Sequence, residues 1–164
     1  MIGAAAALAL FGGIFSFDGA LGRHRDLQIE HYRVTRWGLE VRRNHFTGQT
    51  ACTLRRPGIT YAHGVITFSF GHKINTANAN FRVDNGSVRT VSSVAIEAAS
   101  LGAQFNGPDL ANPSRGEVHI PAAYVQNSTT VSIQPNDTIT HRSFDLRGFS
   151  HALGEAKKQG CDAI

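Results

Sequence analysis

Two cysteines and eight histidines are the residues of this 164-residue chain with the most reactive chemistry to offer. Cys52 and Cys161 stand far apart, in no C-x-x-C and beside no histidine at ligand spacing, so a local zinc signature is missing. In an oxidising compartment they would form a structural disulfide, closing a loop of about 100 residues and stabilising by ~4–5 kcal/mol on the chain-entropy view. In a reducing compartment they are two free thiols, and a nucleophilic thiol is the third reading. His24, His31, His45, His63, His72, His119, His141 and His151 form no H-x-H, H-x-x-x-H or H-E-x-x-H pattern. His119 alternates with Val118 and Ile120 and reads as a solvent-facing strand residue. No metal ligand set is expected.

Nucleophilic and acid–base chemistry have little to build on. No G-x-S-x-G elbow occurs, and Ser87 and Ser114 lie in turn contexts. Asp84, Asp109 and Asp137 neighbour turn residues and read as Asx-turns rather than paired catalytic carboxylates. Asn85, Asn127 and Asn136 open glycosylation-type triplets that mark exposed turns. No phosphate-cradling glycine loop or dinucleotide fingerprint is present, so no cofactor is expected.

Charge is the more informative signal. From Arg23 to Arg56 eight arginines face Asp26, Glu30 and Glu40, a surplus of five; from Pro57 onward eight basic and eight acidic residues cancel. Asp18 reduces the total to +4. Arg33, Arg36, Arg42, Arg43, Arg55 and Arg56 are the candidate ligands for an anionic polymer or membrane surface. A solvated strand face is the plainer reading of the same residues. Nucleic acid is not expected, because only Tyr32, Trp37 and Phe46 interleave with the block and Trp37 alternates with Leu39 toward a core.

The compartment turns on the start of the chain. Ile2 to Phe17 is an uncharged Ala-, Leu- and Phe-rich run, followed by the small-x-small triplet Ala20-Leu21-Gly22. This is a signal-peptide h-region and cleavage pattern, without the usual basic n-region. An anchor through residues 2–17 and a buried segment are the alternatives. Residues 1–22 are therefore expected to be a signal peptide or membrane anchor, 23–31 a linker and 32–164 a single β-rich domain.

Period-2 alternation dominates that domain. A strand is predicted over Tyr32–Arg42, and a partner over Ala51–Arg55 places Cys52 and Leu54 on one face. Pro57-Gly58 breaks the chain before the clearest strand, Gly64–Phe70. Ala79, Phe81 and Val83 lead to Asp84-Asn85-Gly86, a hairpin-type turn with Asn-Gly at the φ > 0 positions. Ser92 or Ser93 is a candidate cap for a short helix over Ala95–Leu101. A turn-rich loop at 106–116 is the expected site rim. Val118–Ile120, Thr129–Gln134 and Thr140–Arg147 supply further strands, with a single helical turn at Ala122–Val125. Gly148 leads into a closing helix whose Phe149, Leu153 and Ala156 share a face, with Gly160 as its stop. The predicted fold is mainly β: an antiparallel β-sandwich or partly closed barrel with one short central helix and a C-terminal helix.

The segment Leu146-Arg147-Gly148-Phe149-Ser150-His151-Ala152-Leu153 resembles the strand-Gly-Phe-x-x-Ala-Leu ending of small exported alphaproteobacterial proteins of the invasion-associated locus B family. Trp37 followed by Cys52 is similar to that family's early Trp strand and cysteine. Ala79 to Gly86 resembles an Ala-x-Tyr/Phe-Arg-x-Asp-Gly-Gly stretch of other exported bacterial proteins. These segments cover about a quarter of the chain and hold no catalytic signature. The family's additional cysteines are missing here, and Cys161 follows the final helix. The resemblance implies an exported, β-rich, non-enzymatic envelope protein. The leading expectation is a periplasmic or secreted domain that binds or scaffolds another envelope component without a catalytic site. The alternatives are an envelope-polymer hydrolase with His63, His72 or His119 lining a cleft near the 106–116 loop, and an anionic-ligand binder using the six arginines.

Overall fold

The computed structural model describes residues 26–71, 74–102, 116–136 and 139–161. Ten strands form two antiparallel sheets, packed face to face and not closed into a barrel. The larger has the order β1-β2-β3-β4-β5-β8: Leu27–Val34, Trp37–Asn44, Thr50–Arg56, Ile59–Ala62, Val65–Ser69 and Glu117–Pro121. The smaller has the order β10-β9-β6-β7: Arg142–Asp145, Thr130–Gln134, Asn80–Val83 and Arg89–Thr90. A short helix α1 (Ala95–Ser100) follows a 3-10 turn at Val91–Val94, and α2 (Phe149–Lys158) closes the fold. The two-sheet architecture and both helices match the sequence expectation. Among the described residues no helix is long and apolar enough to cross a membrane.

The alternating apolar positions meet between the sheets. Trp37, Leu39, Leu54, Tyr61, Ile66 and Phe68 of the larger sheet face Phe81, Val131, Ile133 and Phe144 of the smaller in one buried cluster. Phe68 and Phe144 join the sheets, their ring centroids 4.9 Å apart. Burying each such side chain is worth about 1.5–3 kcal/mol. The closing helix completes this core: Phe149 inserts between Trp37 and Tyr61 at centroid distances of 5.0 and 5.4 Å. The indole N–H of Trp37 donates to the Arg147 carbonyl at 3.2 Å. Beyond the helix, Cys161 is bonded to Cys52, with the two Cα atoms 5.8 Å apart, inside the usual range for a disulfide. The early Trp strand, the Cys52 strand and the closing helix are thus one packing unit.

Four local expectations are corrected. The single strand predicted at Tyr32–Arg42 is a hairpin, β1 and β2 joined at Thr35-Arg36, and β1 begins at Leu27 inside the expected linker. Its residues are mostly exposed on both faces, so hydropathy alternation does not reveal it. In the turn after β6 the residue with positive φ is Asp84 (48°), and neither Asn85 nor Gly86 has that conformation. Asp84 takes it because its Oδ1 accepts from Thr129 N, Thr129 Oγ1 and Thr130 N at 2.9–3.1 Å, tying the turn to β9. Those bonds, the Thr129 hydroxyl foremost, hold the Asp84 carboxyl below its usual range. Ser92 and Ser93 lie within the 3-10 turn and do not cap α1; Ser93 Oγ donates to the Thr90 carbonyl instead. His119 is only 6 % exposed rather than solvent-facing. The α1 helix and the turn before it pack against β8, so the second face of that strand is covered as well.

Candidate anion-binding surface

Strand register decides which arginines meet. Arg33, Gly38 and Arg55 lie in one cross-strand row over β1, β2 and β3. The row is on the outer face, opposite Trp37, Leu39 and Leu54. With strands about 4.8 Å apart, Arg33 and Arg55 flank the bare glycine at about 10 Å from each other. Neither makes an ion pair among the described residues. A Cβ on Gly38 would meet nothing closer than the Arg55 carbonyl at 3.7 Å, and its φ is not in the left-handed region. Neither packing nor backbone conformation calls for glycine there.

One row further toward the β1–β2 turn, three more guanidiniums converge on Asp145 at the end of β10. Arg56 donates from Nη2 to Oδ2 at 2.8 Å and from Nη1 to the Asp145 carbonyl at 2.7 Å. Arg147 donates from Nε and its backbone N to Oδ1, and from Nη2 to Oδ2, each at 2.9 Å. Arg36, in the β1–β2 turn, reaches Oδ2 at 3.5 Å. These donors, Arg147 first, hold the Asp145 carboxyl far below the usual carboxylate range. The Arg56 side chain is 15 % exposed, whereas those of Arg36 and Arg147 are 64 % and 67 % exposed. Asp145 therefore anchors Arg56 inside the sandwich and orients two guanidiniums at the surface. Arg33 and Arg55 on the outer face, and Arg36, Arg56 and Arg147 around Asp145, thus lie toward the same end of β2; Glu40, two residues from Gly38 on the outer face, and Glu155, which lines a pocket with Arg33, are the other carboxylates close by.

The other two candidate arginines are elsewhere. Arg42 and Arg43 sit four and five residues along β2, about 13–16 Å away. Arg42 pairs with Glu40 at 2.6 Å; Arg43 pairs with Glu30 and donates to the side chain of Gln159 after α2 at 2.9 Å. Tyr32 and then Arg43 hold the Glu30 carboxyl below its ordinary value. Arg43 is a cross-link within the fold, whereas Arg42 pairs with a neighbour on its own strand. The sequence block thus divides into a neutralised half and an unneutralised half. Arg147 and Asp145 escaped sequence reasoning because they lie outside the block and only the β3–β10 approach brings them to it. The one available hint was the pairing of Asp145 with Arg147 at i, i+2.

The described histidines do not assemble. His31 and His45 lie along the β1–β2 hairpin, His63 occupies the β4–β5 turn with φ 50°, His141 precedes β10 and His151 is on α2. His119 Nδ1 lies 2.9 Å from Thr67 Oγ1 and its Nε2 3.9 Å from Glu117. Burial lowers its pKa against the opposing pull of Glu117. Among the described residues no three His, Cys, Asp or Glu side chains are grouped to hold a metal ion. His24, His72, Asp109, Asp137 and all but the last residue of the 106–116 loop lie outside the described residues. On the smaller sheet Asn80, Arg82, Ser132, Gln134 and His141 line a shallow pocket of about 170 Å³. Compared with protein-family models, with curated proteins and with solved structures, the chain matches none. The resemblance to invasion-associated locus B proteins accordingly rests on the quoted residues alone.

Proposed function

We propose that this chain is an exported, disulfide-stapled β-sandwich that binds an anionic envelope polymer through its arginine end and has no catalytic site. One observation carries the reading: Arg33 and Arg55 make no ion pair among the described residues and flank a surface glycine, toward the end of the sandwich where Arg36, Arg56 and Arg147 gather on Asp145. Arginine suits the role, because its planar fork grips carboxylate, sulfate or phosphate oxygens in pairs and never loses its charge. Unpaired surface guanidiniums attract anions within the ~8 Å screening length of physiological salt, and from farther away at low salt. Export is supported by the apolar leader pattern of residues 2–22 and by the bonded cysteine pair, which suits an oxidising compartment. A polymer is favoured over a lipid surface because the exposed large apolar side chains do not gather beside the arginines: Phe46, Ile96 and Ile139 lie elsewhere, and Leu27, Ile29 and Tyr32 are divided between the two faces of β1. Stable interfacial binding needs an apolar face beside the charge.

Retention on a heparin column, as a model anionic polymer, tests the proposal. Arg33→Glu and Arg55→Glu should each elute at clearly lower salt than wild type, and Arg42→Glu should shift much less because its charge is already paired. Equal shifts for all three would reduce the effect to net charge. Retention that survives salt well above physiological would refute an electrostatic site.

A further inference from the structure

The structure assigns to the open edge of β1 a second binding role, which shares only Arg33 with the arginine end: it accepts an extended peptide segment of a partner protein as an added strand. Among the described residues no strand pairs with the far side of β1, which is the edge of the six-stranded sheet and eight residues long. The ladder on its near side fixes which backbone groups point outward. His45 donates its N–H to the Asp26 carbonyl at 2.7 Å, and the register continues from Leu27 opposite Asn44. In an antiparallel pair the bonded residues alternate, so the even-numbered residues of β1 bond to β2. Leu27, Ile29, His31 and Arg33 therefore turn their N–H and C=O groups to the open edge.

That edge borders a groove. Tyr32, Arg33, Val34, Thr35 and Leu39 form one side and His151, Glu155 and Gln159 of the α2 region the other, bounding about 300 Å³. Tyr32, in the groove, is 37 % exposed, and Ile29 and Leu27 on the opposite face are similarly open. Natural edge strands are blunted by proline, bulges, brevity or charges; β1 has no proline or bulge, runs eight residues, and its charges are Glu30, which is tied to Arg43, and Arg33. A strand running between a sheet edge and a helix is the geometry in which main-chain bonds supply affinity and alternate side chains supply selectivity.

The flanking residues state the chemistry of the occupant. Side chains of the added strand that fall on the groove side meet Tyr32 and Glu30, whose charge Arg43 already neutralises. Those on the other face meet Ile29, His31 and Arg33, and Arg33 has no carboxylate partner among the described residues. The fitting segment alternates apolar with acidic residues. A second copy of β1 fits less well, because in the symmetric antiparallel registers its own Arg33 or His31 comes to the positions where an acid is called for.

A synthetic peptide of alternating valine and glutamate is the probe, with amide hydrogen exchange and backbone NMR shifts of the full-length protein as the readout. Slowed exchange of the Ile29, His31 and Arg33 amides on adding peptide, with the even-numbered amides already slow in its absence, is the expected result. His31→Pro should abolish binding while leaving the β1–β2 ladder intact, since the N–H it removes points outward. Should that variant fail to fold, Arg33→Glu provides the second arm: about fivefold weaker binding of the glutamate peptide, recovered with a valine–lysine peptide. Shifts confined to Arg36, Arg56 and Arg147 would mean adsorption at the arginine end and overturn the proposal, leaving the polymer reading untouched. A dimer in sedimentation that protects the same amides without peptide would overturn it in favour of self-pairing.

Discussion

Breaking the Cys52–Cys161 bond should lower the melting temperature by about 10–20 °C without dismantling the native fold. The bond spans a sequence separation of 109 residues. The chain-entropy relation then gives a denatured-state penalty of about 16 cal/mol/K, or about 5 kcal/mol at 25 °C. For a chain of 164 residues each kcal/mol moves the midpoint by about 2–4 °C. The folded state should change little, because α2 keeps Phe149 against Trp37 and Tyr61, and Gln159 keeps its bond to Arg43. Calorimetry of oxidised protein, of protein reduced while unfolded and then refolded, and of the Cys52→Ala/Cys161→Ala double variant checks this. The double variant is preferable to a serine at 161, where a hydroxyl would be placed at a buried position. Thiol titration must show two new thiols after reduction. A reduced protein melting within about 2 °C of the oxidised one would refute the argument, since a loop this long cannot be released without adding denatured-state entropy.

Gly148→Ala should destabilise by more than about 1 kcal/mol, because φ there is +83° and an added Cβ would come within 2.5 Å of Thr35 Oγ1; pairing it with Thr35→Ala should recover part of the melting temperature by removing the clash. Asp145→Asn should cost about 2 kcal/mol in urea unfolding, because Arg56 loses an ionised acceptor in a largely covered position. Acid should act in two stages. Burial lowers the folded pKa of His119 below its ordinary 6.5, so stability is full above that pH and declines as the unfolded chain takes up the proton. The depressed carboxyl of Asp145 contributes stability above its ordinary 3.8, lost as pH falls below that value toward its folded pKa. Melting curves across this range should show both declines, and Asp145→Asn should blunt only the lower. Gly38→Thr should raise the melting temperature slightly, since β-propensity rises and no clash results, yet weaken heparin retention by filling the gap between Arg33 and Arg55.

Much of the sandwich was legible because its strands have one buried and one open face. Gly64–Phe70 and Thr129–Gln134 alternate cleanly, and each lies on a sheet with one face in the shared core. The closing helix was legible from Phe149, Leu153 and Ala156 together with its glycine stop, which takes φ +83° at Gly160. β1 was not, because an edge strand exposed on both faces has no apolar period to display; its pairing with β2 defines it. His119 shows the opposite limit: alternation places a side chain on the far face of a strand but does not say whether a helix lies over that face. For the candidate site, sequence proximity misled. Arg42 and Arg43 belong with Arg55 and Arg56 in the chain and apart from them in space, while Arg147 joins the cluster across more than 90 residues because β3 and β10 end side by side.

The distribution of paired and unpaired cations argues that the arginine end is more than a solvated face. Where the fold needs arginines for its own cohesion it supplies acceptors one for one: Glu40 for Arg42, and Glu30 with Gln159 for Arg43. At the other end Asp145 serves three guanidiniums, and Arg33 and Arg55 make no ion pair among the described residues, Glu40 in the next outer-face row being paired with Arg42. Like charges on one sheet face lower stability a little, Arg33 and Arg55 being two strands and about 10 Å apart, and a glycine within a strand lowers it further. Gly38 combines the two: it separates two unpaired arginines at a position where a side chain would fit without strain. Both costs are explained at once if an anion occupies that gap, drawing the two guanidiniums inward and using the space a Cβ would take. A purely structural account has to treat the missing carboxylates and the missing side chain as separate coincidences.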